Sequence, residues 1–447
     1  MKFRIIALLL IFSFHQSFSQ EIMKLTLKSS IELALSNNTD LRIEKNNLFI
    51  SNTNSTRAIY NFLPSANGYA RAFTENGNTF NQQEGVVVNG VVDRIFAGVN
   101  AELTLFRGMQ NHYFLKSSTN FVNSQEMTIK QTEQLVISNV ISQYLEVLFN
   151  SQLVIIEKEN LILQTINLEK ISSEVTLGTR PMIDLYNQKS LVKNAELNAL
   201  SAEINLRNSK AQLALTLQID PIQEIQVSEP IWILPESFDN ISDIDELVSI
   251  AMENRPDLKS SQYREEGNKY SLKVDNTFLT PHLYAFGGFQ SAYITDRITT
   301  QRNFNEQFFT DNTTLQYGLH LDIPIFAKYR TKSQSIQSKV RYENSVLQRE
   351  NLEISVKSEV LNAYQNYINA QNSFQLATAQ LDAQEESFQL NKESHELGLI
   401  NIIEFSQANR DYIRAKVDFM RAKYELVFNT ILLKNSLGTL NTEDIPE

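Results

Sequence analysis

Two long stretches of the chain repeat apolar side chains with a helical period. No glycine or proline interrupts residues 109–177, and none occurs from Ala327 through Leu397. Apolar residues recur three, four or seven positions apart, at Ile137, Ile141, Tyr144, Leu148, Ile155 and Ile162 and at Val360, Tyr364, Tyr367, Phe374, Leu381 and Phe388. Helices of globular proteins average roughly a dozen residues. The pattern therefore predicts coiled-coil-like helices of about 65 residues, or ~100 Å, each.

The period changes to two in the windows 65–106 and 281–326, which hold eight of the thirteen glycines. Apolar residues alternate from Ile95 to Leu105 and from Leu315 to Ile325, with mostly polar residues or glycine between them. We predict strands at about 65–76, 93–106, 281–294 and 312–326, joined in pairs by loops at about 75–92 and 295–311. The lengths suit tilted membrane strands. A half-buried soluble hairpin is the alternative.

The two halves of the chain match at a nearly constant offset. Asn37 to Leu41 aligns with Asn254 to Leu258 at an offset of 217 residues, and Leu177-Gly178 aligns with Leu397-Gly398 at 220. We predict two tandem helix–strand–strand–helix repeats at 25–218 and 243–440, a connector at 219–242 and a tail at 441–447. Ser29 and Ser242 fit helix N-caps near the start of each repeat.

Residues 1–19 have the composition of a secretory signal peptide. Lys2 and Arg4 precede an apolar run, Ile5 to Phe14, and Ser17 and Ser19 supply small residues before a cleavage point. The run is too short to span a bilayer as a helix. We therefore expect export, with an N-terminal membrane anchor as the alternative.

Composition and charge exclude several classes of function. The chain has no cysteine, which excludes thiolate metal sites and thiol catalysis. A net charge of −11 argues against a nucleic-acid partner. The five histidines form no ligand-spaced pair, and no nucleophile-elbow, phosphate-loop or zinc-protease motif occurs. We predict no enzymatic activity, cofactor or metal.

Entry of the mature chain into a membrane would have to use strands. After the signal peptide, no stretch approaches the ~20 apolar residues that a membrane helix needs. Four strands cannot close a barrel, and an open sheet edge in lipid leaves backbone groups without hydrogen bonds. A membrane role therefore requires several chains to share one barrel.

The order of motifs resembles the TolC family of outer-membrane efflux and secretion channels over about residues 25–440. The motifs are the two helix starts at 37–41 and 254–258, Pro64 and Pro281 before the strand pairs, Leu105-Phe106-Arg107-Gly108 and Pro324-Ile325-Phe326 after them, the turns at 177–180 and 397–400, and Ser436 to Leu440. The resemblance implies a mainly α fold with a membrane β-barrel portion in the outer-membrane lipid. It implies a homotrimer with a twelve-stranded barrel and a twelve-helix barrel in the periplasm.

The same resemblance implies that the helical turns at 176–181 and 396–401 form a periplasmic tip, where family members meet a periplasmic adaptor. The implied contact residues are Leu177, Gly178, Thr179 and Arg180 in the first turn, and Leu397, Gly398 and Leu399 in the second. The second turn departs from the family's pattern. The arginine needed for a gate-locking ion pair is missing there.

Asp184 and Glu404 match the acidic positions that narrow family channels, and Gln407 stands where some relatives carry a further aspartate. A ring of three carboxylates in a narrow pore attracts cations and repels anions. The alternative is that both are first-turn charges that favour a helix N-terminus.

The implied function is passive conduction of substrates from a periplasmic adaptor and inner-membrane pump to the exterior, in efflux or type I secretion. Drugs, metal ions and polypeptides are all open as substrates. The alternative from another class is a non-channel protein, either a periplasmic coiled-coil adaptor or a surface adhesin.

Overall fold

The computed structural model describes residues 22–81, 85–230, 243–296, 303–326 and 329–441. The predicted signal peptide, the second half of the connector and residues 442–447 of the tail lie outside these ranges. The helices are α1 (Leu27–Asn37), α2 (Thr39–Tyr60), α3 (Gln110–Thr176), α4 (Met182–Leu217), α5 (Ile244–Asn254), α6 (Pro256–Asn276), α7 (Phe304–Glu306), α8 (Arg330–Glu396) and α9 (Ile402–Ser436). The strands are β1 (Met23–Leu25), β2 (Ser65–Asn81), β3 (Val86–Arg107), β4 (Ile225–Val227), β5 (His282–Asp296) and β6 (Thr314–Asp322).

The prediction of a mainly α fold is confirmed, and the two glycine-free stretches form its longest helices. α3 and α8 each have 67 residues. By its contacts the chain forms two compact units, one built from Met1–Glu44, Thr128–Asp257 and Leu352–Glu447 and the other from Lys45–Met127 and Leu258–Asn351. Each repeat thus supplies helices to the first unit and a strand pair to the second.

The second unit contains a four-stranded antiparallel sheet in the order β2-β3-β5-β6. β2 and β3 form a hairpin that is longer than predicted, because their pairing continues to Asn81 and Val86. Most of the segment 75–92 is therefore strand, and its prediction as a loop is wrong. Backbone pairing does not depend on apolar side chains, so the Asn- and Gly-rich composition gave a misleading signal. Residues 82–84 and 297–302 of the two predicted loops are outside the described ranges.

The second strand pair is shorter than predicted at its C-terminal end. β6 ends at Asp322 instead of residue 326, which is consistent with the lack of a backbone N–H at Pro324. The regular alternation predicted from Ile95 to Leu105 also ends early, because the β3–β5 register shifts between Thr104 and Phe106. Leu105 is the extra residue of this β-bulge.

A hydrophobic core in the first unit joins both repeats. The parallel strands β1 and β4 lie against it. Its fully buried side chains include Leu25, Leu27, Ile31, Ile141, Tyr144, Leu213, Leu217 and Ile225. The Tyr144 hydroxyl lies 3.0 Å from the Leu25 carbonyl oxygen and 2.6 Å from that of Ser228. Burial raises the pKa of Tyr144 to about 12, so this hydroxyl stays a hydrogen-bond donor over the whole physiological range.

The helix N-caps lie close to, but not at, the predicted serines. Thr26 caps α1: its hydroxyl accepts from the Ser29 N–H, and the Ser29 hydroxyl accepts in return from the Thr26 N–H. Ser29 is therefore the third helical residue of a capping box rather than its cap. Ser242 falls outside the described part of the chain, and Asp243 caps α5 by accepting from the Asp245 N–H at 3.0 Å.

In the first repeat, the break between α1 and α2 contacts the C-terminal end of α4. The Asn37 side-chain amide donates to the Leu217 carbonyl at 3.3 Å, and the Thr39 hydroxyl donates to the Gln218 side chain at 2.8 Å. Carbonyl groups at a helix end have no partner within the helix. The helix break therefore supplies the donor that the end of α4 lacks.

The second repeat makes the same contact with a charged residue. Arg255, at the break between α5 and α6, donates to the Ser436 carbonyl at the end of α9 at 3.2 Å. Its guanidinium also makes two hydrogen bonds to Asp257, at 3.0 and 2.7 Å, and an ion pair with Glu359 at 2.9 Å. Gly438 follows with a left-handed φ of +71°, and a Cβ built there would come within 2.8 Å of the Arg255 Cα.

We predict that Gly438→Ala destabilises the protein more than Gly398→Ala. Both glycines have left-handed φ values, +71° and +74°, so both variants incur about 1–2 kcal/mol of backbone strain. Only at Gly438 does the added methyl overlap backbone, while nothing lies within 4 Å of the Gly398 position. The measurement is the temperature at which helical circular dichroism is lost. Equal losses in the two variants would show that the contact with Arg255 is not close.

Candidate functional site

The candidate site consists of the two helix-to-helix turns and the first turn of the helix that follows each. α3 ends at Thr176 and α4 begins at Met182, while α8 ends at Glu396 and α9 begins at Ile402. Gly178 and Gly398 take φ values of +77° and +74°. In each turn the glycine N–H and the next N–H donate back to carbonyls of the preceding helix. This is the Schellman arrangement, for which glycine is preferred.

Exposed apolar side chains flank both turns at matching positions. Leu177 and Leu397 are 77% and 75% exposed, and Ile183 and Ile403 are 66% and 68% exposed. Leu399 is also exposed. The two turns thus share two exposed apolar positions. Among these residues, Leu177, Leu397 and Leu399 were predicted from the sequence.

The polar residues of the first turn bond within their own hairpin. Arg180 pairs with Glu174, with 2.7 Å between Nε and Oε2. The Thr179 hydroxyl donates to the Glu174 carbonyl at 2.9 Å. Both contacts hold the turn against the last residues of α3, so Arg180 is already engaged inside the turn.

The two predicted acidic residues lie in different surroundings. Asp184 is half-buried in the first turn of α4, whose N-cap, Pro181, makes no side-chain hydrogen bond. Glu404 is exposed in the first turn of α9. The Asn401 side-chain oxygen caps this helix by accepting from the N–H groups of Ile403 and Glu404 at 2.9 and 3.0 Å, and its amide donates to the Glu404 carboxylate at 3.1 Å.

Gln407 is exposed one turn further along α9 and does not contact Glu404 directly. Its amide donates to both carboxylate oxygens of Asp411, at 3.0 and 2.9 Å, and its oxygen accepts from Arg410. The three predicted gate residues are therefore brought to the same two helix starts. They do not form a hydrogen-bonded group with one another.

A small hydrophobic cluster behind the turns was not predicted from the sequence. Ile171 of α3 packs with Phe388 of α8 and with Ile402 and Phe405 of α9. His395 stacks on Phe405 with 4.9 Å between ring centroids. In the sequence, the one indication of this cluster is the position of His395, three residues before Gly398. The cluster joins the two hairpins of the chain.

Beyond this cluster, amide side chains connect α3 with α4 and with α9. Gln188 donates to the carbonyl and the side chain of Gln164 at 2.8 and 2.9 Å, and Asn409 donates to Asn160 at 3.0 Å. Asn160, Gln164 and Asn409 border a cavity of about 460 Å³ that Glu157 also lines. Burial raises the pKa of the Glu157 carboxyl. A polar layer inside a helical interface favours one register over others.

Two features are absent from the described ranges. No helix there combines the length and the apolar composition that crossing a membrane requires. Within the same ranges, no group of three or more His, Cys, Asp or Glu side chains is placed to hold a metal ion.

The known proteins that match this chain are outer membrane proteins. Residues 247–439 match the family described as outer membrane efflux protein. The outer membrane protein TolC of Vibrio cholerae is 21% identical over 79% of this chain and 78% of its own, and the outer membrane efflux protein BepC of Brucella suis is 19% identical over 78% and 73%.

Solved structures resemble the chain over nearly its whole length. The outer membrane protein VceC of Vibrio cholerae has a TM-score of 0.79 at 14% identity, covering 92% of this chain and 96% of its own. The Campylobacter jejuni CmeC outer membrane channel has a TM-score of 0.79 at 16% identity, covering 94% and 88%. Residues 247–439 thus match the outer membrane efflux protein family, and the chain as a whole shares the fold of these solved outer-membrane proteins.

Proposed function

We propose that this chain is the subunit of a homotrimeric outer-membrane channel. The channel passively conducts substrates from a periplasmic adaptor and an inner-membrane pump to the exterior, in efflux or type I secretion. The observation that carries the proposal is the edge strand β6, whose apolar side chains are exposed in the single chain. Its sheet has only four strands, too few to close a barrel by itself.

The exposed apolar residues of β6 would be unfavourable on the surface of a water-soluble monomer. Leu315, Tyr317, Leu319 and Leu321 are all exposed, and Tyr317 reaches 82%. They alternate with Gln316, Gly318, His320 and Asp322, so one face of the strand is apolar and the other mostly polar. This is the pattern of a barrel strand with lipid on one side and a water-filled lumen on the other. Copies of the chain that pair edge to edge satisfy both requirements.

The repeated apolar surface at the two turns supports adaptor docking there. Leu177 and Leu397, together with Ile183 and Ile403, place the same exposed apolar pair at each turn. Apolar residues at the centre of an interface contribute most of the binding energy when a partner buries them. Thr179 and Leu399 lie between them, so a partner that covers either turn would contact these residues as well.

The first-turn acids support a selective periplasmic entrance. Asp184 and Glu404 occupy equivalent positions in the two repeats, and each carries a charge near a helix N-terminus. A trimer contributes three copies of each. Electrostatic selectivity follows only if the copies face one narrow opening, whereas Asn401 gives Glu404 a purely local capping role as well. The two roles are compatible.

A non-channel adaptor or adhesin is the rival. Neither the family match nor the structural comparisons point to it. An exposed apolar edge strand would moreover expose such a protein to aggregation.

We predict that Leu319→Arg lowers the amount of trimer in the outer membrane at least about tenfold, since a cation on the lipid face of a barrel strand costs about 2–4 kcal/mol near mid-membrane. His320→Arg, on the opposite face of the same strand, is the matched control and should assemble normally. The measurement is the heat-sensitive trimer band in outer-membrane fractions. A wild-type protein found only as a soluble periplasmic monomer would contradict the proposal and favour the rival.

We predict that Glu404→Gln reduces the cation selectivity of the reconstituted channel, because it removes three negative charges per trimer and retains an oxygen that can accept from Asn401. Asp184→Asn should act in the same direction. Glu196→Gln, an exposed carboxylate that pairs with Lys193 on α4, is the control for net charge. The measurement is the reversal potential in a salt gradient. An unchanged potential in both tip variants would leave the acids with capping roles alone.

We predict that a photoreactive side chain at Thr179 cross-links to a periplasmic adaptor in cells. The same probe at Ser201, an exposed position on α4 away from the turn, should give no such adduct. Adducts are identified by mass spectrometry after outer-membrane extraction. If neither position captures an adaptor in cells that export, docking at the turns is wrong.

A further inference from the structure

His395 is a buried titratable residue at the base of the second turn. Its side chain belongs to α8, and only 6% of the residue is exposed. The ring stacks on Phe405 of α9 at a centroid distance of 4.9 Å and an interplanar angle of 12°. Its Nδ1 lies 3.4 Å from the carbonyl oxygen of Ile400, within the turn. One imidazole therefore touches both helices of the second hairpin and the turn that joins them.

The charged groups that act on this ring come from the first hairpin. Lys170 and Glu174 belong to α3, and Arg180 belongs to the first turn. Glu174 is already paired with Arg180, which leaves Lys170 as an uncompensated positive charge in this group of three. From α9, the aromatic ring of Phe405 stacks on the imidazole.

These surroundings favour the neutral imidazole. Burial lowers the pKa of His395 most, and Arg180 and Lys170 lower it further, while the Ile400 carbonyl and Glu174 act in the opposite direction. The net effect is a pKa below the ordinary value of about 6.5. A proton added to the ring would create a buried cation near two others, Arg180 and Lys170.

Resting on the proposed function, we propose that His395 is the positioning residue of the tip. While neutral, it holds the second turn against the first hairpin, and protonation releases it, so that acidification opens the periplasmic entrance. The hydrophobic cluster of Ile171, Phe388, Ile402 and Phe405 transmits the change, because it packs α3 of the first hairpin against α8 and α9 of the second.

The direction of the pH dependence follows from proton linkage. Above about pH 6.5, His395 is neutral whether the tip is packed or open, and it contributes no pH dependence. As the pH falls below that value, the open tip binds the proton more readily than the packed one. The packed state is therefore lost progressively between about pH 6.5 and the lowered pKa of His395.

The first experiment measures the distance between the two turns. Since the chain has no cysteine, Leu177→Cys with Leu397→Cys gives one pair of nitroxide labels in purified mixed trimers that contain one double-cysteine chain and two cysteine-free chains. We expect the distance distribution to lengthen and broaden between about pH 7.5 and pH 5.5. With His395→Phe, which keeps the aromatic stack but cannot be protonated, it should stay the same at both pH values. His112→Phe, a histidine of the second unit, should respond like the wild type.

Two results would overturn the proposal: a wild-type distribution that is the same at both pH values, or a His395→Phe distribution that shifts as the wild type does. If His395→Phe does not assemble, His395→Gln replaces it, because glutamine is neutral and can donate to the Ile400 carbonyl. The same two outcomes apply to that variant.

Single-channel recording separates this proposal from the proposed function. We expect the wild-type conductance to rise at least about twofold on acidification, and the His395→Phe conductance to stay constant. A channel that conducts equally at both pH values retains the proposed function and rejects the role of His395. A trimer that conducts at neither pH rejects the channel function itself, whatever the labels report.

Discussion

The backbone N–H and C=O groups on the outer edges of β2 and β6 face no further strand of the four-stranded sheet. In hydrocarbon each unsatisfied group costs several kcal/mol, so these edges cannot remain open in a membrane. The exposed apolar face of β6 means that the sheet cannot remain in water either. Pairing of these edges between copies resolves both difficulties. The proposed trimer with a shared barrel rests on that pairing.

Duplication supplies the framework, and small departures between the copies supply the differences in function. The last helix of each repeat is satisfied by the helix break of the same repeat, through Asn37 in one copy and Arg255 in the other. The residue after α4 is Gln218 and its counterpart is Gly438, both with a positive φ. Pro181 and Asn401 occupy equivalent places in the two turns. Of the two, only Asn401 can cap its helix and bind the carboxylate three residues later, that of Glu404. Each entrance residue therefore has to be interpreted in its own copy.

Much of the architecture could be predicted from the sequence, because it depends on local periodicity and on breakers. The absence of glycine and proline is enough to predict α3 and α8, and Gly178 and Gly398 are enough to place the turns. The ends of the strands were harder to predict. The extra pairs that extend β2 to Asn81 bury few apolar side chains, and the bulge at Leu105 arises from the register with β5, which lies far away in sequence.

The contacts behind the turns could not be predicted either, because they join residues that lie apart in the sequence. His395 and Phe405 are ten residues apart and become neighbours only because the turn folds α9 back onto α8. The contact of the two hairpins through Ile171 and Phe388 spans more than two hundred residues. Resemblance to a family points to the two turns, but the side-chain contacts behind them depend on packing that no local pattern encodes.

In the proposed assembly, three copies of this chain share one barrel. The most direct measurement is the mass of the intact complex after gentle detergent extraction from the outer membrane, determined by native mass spectrometry. If three chains share the barrel, the spectrum contains a single species of three chains. A complex of one chain, or a species that never leaves the soluble periplasmic fraction, would contradict it.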